Sequence, residues 1–118
     1  MTLRDGRGVT FDVLAVLVFV SIGRLQHDGA DGFDPLGFAT TLWPFLGGLG
    51  IALVVQGVTP GVYRGLPVGA AVVAATVVGG LCLRYASGQG MALSFAVVTA
   101  IVIGVLMLGW RLALARLT

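Results

Sequence analysis

Asp12 stands inside the apolar run VTFDVLAVLVFVSIGRL, and Arg111 inside LGWRLALA near the other end of the chain. A carboxylate at membrane depth does one of two kinds of chemistry. It pairs with a cation and ties helices together, or it takes up and releases a proton along a transport path. Counting helix rise selects the partner. Arg7 to Arg24 is 17 residues, about 25 Å of helix, which is close to the thickness of a bilayer core. Asp12 then lies about 8 Å inside one edge. Arg116 marks the same edge on the last span, and Arg111 precedes it by the five residues that separate Arg7 from Asp12. Asp12 shares a stripe with Ala15, Phe19 and Gly23, and Arg111 falls seven residues after Gly104, so both point at helix seams. The spacing therefore predicts an Asp12 to Arg111 pair. Another reading stays open: Gly6 and Gly8 delay the helix, Thr10 caps it, and Asp12 becomes a first-turn acid favoured by the helix dipole.

A second polar group gathers in GRLQHDGADGFDP and LRYASGQG: Arg24, His27, Asp28, Asp31, Asp34, Arg84, Ser87 and Gln89. One histidine beside several aspartates offers nitrogen and oxygen to a divalent cation, but the spacing matches no ordered calcium or zinc loop. A solvated acidic loop with Arg24 and Arg84 pairing locally is expected, with no metal and no cofactor. The lone histidine has no nucleophile beside it, and phosphate-cradling and dinucleotide fingerprints are absent. DGADGFD is similar to the acidic signatures of lipid head-group transferases but lacks their further spaced aspartates. No catalytic residue is assigned, and the chain reads as a non-enzyme.

The elements that carry these residues follow from composition. Of 118 residues, 58% are hydrophobic and only 10% charged, and the mean hydropathy is +1.04. An ordinary soluble domain is about a quarter charged. The chain reads as one integral membrane domain with room for four helices. The basic pI near 9.3 comes from arginine without lysine, which argues against nucleic acid as a partner. Arg4 and Arg7 precede an apolar stretch, but Asp12 and the missing small-residue cleavage site argue against a cleaved signal. Cys82 is single and reads as a buried packing residue.

Apolar runs at 9–26, 36–58, 67–84 and 91–112 are separated by HDGADGFDP, TPGVYRG and RYASGQG. Continuous rather than alternating runs exclude a β-barrel. The expected fold is all-α, with four transmembrane helices in two hairpins. Arg4, Arg7, Arg64, Arg111 and Arg116 then share one side, against Arg24 and Arg84 on the other, so both termini are expected in the cytoplasm. Tyr63 and Trp110 fall at the inner boundary and Tyr85 at the outer, while Trp43 lies well inside the second span.

In lipid, small residues at i, i+4 let helices approach. Ala71, Ala75 and Gly79 make such a ladder on the third span, and Ala96, Ala100 and Gly104 another on the fourth. The two ladders are expected to face each other. Pro44 removes a backbone donor and frees the carbonyl of Thr40, so a kink at Trp43 and Pro44 is expected, repaired by a threonine hydroxyl or lining a cavity.

FDVLAVLVFVSIGRLQHD, LWPFLGGLG, LRYASGQG and LGWRLALAR together resemble a family of small bacterial and archaeal membrane proteins, domain-of-unknown-function family 3054. The resemblance covers nearly the whole chain and implies four helices but no chemistry. It marks Asp12, Arg24, His27, Trp43, Pro44, Arg84, Gln89 and Arg111 as pattern positions. The expectation is a multi-pass protein of the cytoplasmic membrane, an accessory or assembly component that packs in the bilayer against itself or a larger complex. The alternative is a small oligomeric transporter or permeability protein working through Asp12.

Overall fold

The computed structural model describes residues 6–28, 34–58, 61–90 and 92–117, with backbone alone at 26–28 and 117. These residues form four helices and no strand: α1 (Gly6–Asp28), α2 (Pro35–Val58), α3 (Leu66–Ala86) and α4 (Leu93–Leu117). All four are long and apolar enough to cross a membrane. Most of the helix ends overrun the apolar runs, α1 beginning at Gly6 and α4 continuing past Arg116. An apolar run measures the hydrocarbon, whereas a helix continues into the headgroup zone until a cap or breaker stops it. Asp34 is such a cap: its Oδ2 accepts the Gly37 N–H at 2.9 Å, and Pro35 opens α2 behind it.

α1 packs on α2 and α4, and α3 packs on the same two, so the helices form a ring with no close backbone approach across either diagonal among the described residues. Each helix buries a row at i, i+4 spacing. The rows are Gly8, Asp12, Val16 and Val20; Pro44, Gly48, Ala52 and Gln56; Val68, Val72, Thr76 and Gly80; Thr99, Ile103, Met107 and Arg111. Such rows are the ridges by which helices interlock.

The closest seam lies between α2 and α3, which corrects the expected pairing of the alanine and glycine ladders. A methyl group on Gly48 would meet the Thr76 carbonyl oxygen at 2.5 Å and the Gly80 nitrogen at 2.6 Å, and one on Gly79 would meet Gly48 Cα at 3.1 Å. Ala71 and Ala75 are only half-buried beside this seam. On α4, Ala96 is half-buried, Ala100 is exposed, and a methyl on Gly104 would meet only Val73, at 3.9 Å. The α4 ladder is offset by one position from the row that faces inward. The bulk of Ile103 and Met107 in that row keeps α4 from the backbone approach that glycines allow α2 and α3.

One smaller expectation changes: Cys82 is exposed on the outward face of α3 rather than buried. Trp43, inside the apolar helix Pro35–Val58, lies level with Arg84 and Tyr85, since Gly47 lies against Leu83 and Gln89 reaches the Thr40 carbonyl.

Candidate functional site

Asp12 is fully buried in the second turn of α1. Its Oδ1 accepts from Arg111 Nη1 at 3.0 Å and from Trp110 Nε1 at 2.8 Å. Its Oδ2 accepts from Arg111 Nη2 at 2.9 Å and from the Tyr63 hydroxyl at 2.5 Å. An ionised carboxylate has about four acceptor positions. All are taken by donors of this chain. Arg111, 1% exposed, also donates from Nε to the Tyr63 carbonyl at 3.1 Å and from Nη1 to the Met107 carbonyl at 3.0 Å. Its guanidinium lies 4.3 Å from the Trp110 ring and 5.0 Å from the Tyr63 ring, close enough for cation–π attraction. The result is a clasp joining α1, α4 and the loop between α2 and α3.

Two glycines make the space. A methyl group on Gly8 would come within 2.7 Å of the Tyr63 ring and 3.0 Å of the Trp110 ring, and one on Gly69 within 2.5 Å of Arg111 Cδ. The first-turn reading of Asp12 fails: the helix is already formed at Gly6, more than a turn before Asp12, and Gly8 lies within it against the clasp. Thr10 does not cap; its hydroxyl donates to the Gly6 carbonyl at 2.9 Å inside the helix. Tyr63, Trp110, Gly8 and Gly69 were not legible as a site. Two signals pointed at the aromatics: Trp110 directly precedes Arg111, and a buried Trp N–H or Tyr O–H requires an acceptor.

Burial, and then the hydrogen bond to Asp12, push the Tyr63 hydroxyl far above the usual tyrosine range. It therefore remains a donor at any physiological pH. Tyr63→Phe should cost about 1.5–3 kcal/mol, the range for a hydrogen bond to a charged group, read as a lowered unfolding midpoint in detergent. A change below about 0.5 kcal/mol would mean that the hydroxyl does not hold the carboxylate.

Among the described residues, Arg24 and the pair Arg84 and Gln89 approach α2 separately. Arg24 donates from Nη1 to Thr41 Oγ1 at 2.7 Å and lies over Gly37, where a methyl would meet its Nη2 at 2.5 Å. Arg84 donates from Nε to the Gly90 carbonyl at 3.2 Å and from Nη1 to Gln89 Oε1 at 3.3 Å, and stacks 4.4 Å from the Phe95 ring. The first two turns of α2 separate these groups. The side chains of His27 and Asp28, and Asp31 altogether, lie outside the described residues. No metal-ligating group of three occurs among the described residues.

Between these residues, α2 runs as helix through Pro44. The carbonyl that Pro44 frees at Thr40 accepts Gln89 Nε2 at 3.0 Å. The expected repair by a threonine hydroxyl is not what occurs: Thr40 and Thr41 donate to the carbonyls of Leu36 and Gly37, a turn earlier. Pro44 is buried beside Phe45, whose ring meets Phe19 edge-on at 5.2 Å and Phe95 at 6.2 Å. The bundle interior thus holds aromatic rings at the end that carries Arg24 and Arg84, and the clasp at the end that carries Arg7 and Arg116.

A family model described as "Protein of unknown function (DUF3054)" matches residues 9–114. No curated protein and no solved structure matches the chain.

Proposed function

We propose, from the premise that this chain belongs to the DUF3054 family, that it is a non-enzymatic accessory or assembly component of the cytoplasmic membrane, with both termini in the cytoplasm. The observation that carries this reading is the occupancy of Asp12. Four donors from the chain itself fill the carboxylate, leaving no position for a proton or solute to be relayed. The same observation weighs against the transporter alternative, which needs that carboxylate to exchange partners. What remains outward is an apolar surface suited to lipid and to other helices, including Leu14, Val54, Val78, Ile101 and Val105. The excess of arginine near Arg7, Arg64 and Arg116 supports the orientation.

Mild cross-linking in native membranes is the test. The expected product is an adduct with a partner protein or a second copy, unchanged in yield by Asp12→Asn variants that still fold. Recovery of a lone monomer, together with solute flux in proteoliposomes that collapses on Asp12→Asn, would replace this reading with the transporter.

A further inference from the structure

Helix α2 divides at Pro44 into two halves held by different forces. Below it, Phe45, Gly48, Leu49, Ala52 and Gln56 are buried, and the Gly48 to Gly80 approach locks backbone to backbone. Above it, no residue from 35 to 43 is buried. Phe38 and Leu42 are partly buried and pack against the core. The upper half is fastened in addition by side-chain hydrogen bonds from two flanks: Arg24 of α1 to Thr41 Oγ1, and Gln89 of the α3–α4 loop to the Thr40 carbonyl.

The Gln89 flank is a built feature. Gly88 and Gly90 hold φ of 84° and 80°, values that favour glycine, and they present the glutamine between them. Gln89 Nε2 also reaches Ser87 Oγ at 3.1 Å, and its Oε1 accepts from Arg84. Arg84 rests on Phe95, which packs on Phe19 and Phe45 in the outer aromatic plug. Proline at 44 supplies both parts of the device: it deletes one helical hydrogen bond, which makes a hinge, and it exposes the carbonyl that the glutamine grips. The Gln89 bond is exposed and the Arg24 bond only part-buried, and such bonds contribute a small net stability, whereas the glycine seam below cannot open without separating helices.

We propose that residues 35–43 of α2 are a gate hinged at Pro44 and latched by Gln89 and Arg24, covering the aromatic plug at the outer end of the bundle. The inner end, closed by the Asp12 clasp, is the fixed half against which it moves. The proposal goes beyond the accessory reading and holds whatever the chain assembles with.

Hydrogen exchange on the full chain in lipid nanodiscs tests it. Local opening is read as exchange confined to one segment. In Gln89→Ala, amides of residues 38–43 should exchange about tenfold faster, while those of 48–57 stay unchanged. Adding Pro44→Ala restores an N–H for the Thr40 carbonyl and should return the outer amides to the wild-type rate. Gly37→Ala, which displaces the Arg24 guanidinium, is the second variant, and should speed the same amides without touching the loop. Equal acceleration in both halves of α2, no acceleration in either variant, or indifference of the Gln89→Ala effect to Pro44→Ala would each overturn the gate.

Discussion

Asp12→Asn should lower the unfolding free energy in detergent by about 3–5 kcal/mol, because it leaves a buried guanidinium without its counter-charge. Arg111→Gln should cost as much or more, since it also removes donors to the Tyr63 and Met107 carbonyls. The pair with both changes should recover part of the loss, giving a coupling of about 1–3 kcal/mol. A charge swap should not recover. The Tyr63 hydroxyl and Trp110 N–H are donors aimed at position 12, so an arginine placed there would face donors. The room for an arginine stem is cut at Gly69, beside position 111. Chemical or thermal unfolding of the four variants decides the matter. Additive effects near zero would mean that the charges are not what holds α1 to α4, and recovery by the swap would mean that attraction between helices matters without its setting.

Gly48→Ala should cost about 2–3 kcal/mol, at the upper part of the range for overpacking. The added methyl meets backbone atoms of Thr76 and Gly80, which cannot rotate aside as a side chain does. The helices must part, and Gly79 and Gly80 lose their contacts with Gly48 and Phe45 together. Gly50→Ala is the internal control: it lies two residues away on the same helix, with nothing within 4 Å of the new methyl. There alanine should be neutral or stabilising by up to about 1 kcal/mol, the difference in helix propensity. Equal unfolding midpoints for the two variants would show that the α2–α3 seam is not close-packed.

Depth was legible in the residues because arginines at helix ends act as rulers. Asp12 and Arg111 could be counted to the same level from Arg7 and Arg116 without any knowledge of how the helices meet. What surrounds them could not be counted. Tyr63 reaches Asp12 from a loop 51 positions away, and Gly8 and Gly69 look like any other glycines among 19. The freed Thr40 carbonyl followed from Pro44 alone; its acceptance of Gln89, 49 positions on, needed the register of α2 against the α3–α4 loop.

The sequence by itself determined four membrane-spanning helices and the levels of their charges, because an apolar run of about 20 residues and the ends it must have are local properties of the chain. Only the tertiary structure decided which face of each helix turns inward. In water an inward face is written as an apolar stripe opposite a polar one. In lipid both faces are apolar, so periodicity carries little of that information. The α3–α4 ladder expectation failed for this reason: Ala96, Ala100 and Gly104 are as small as the residues of a true seam, and nothing local separates them from Gly48 and Gly80, where two backbones meet.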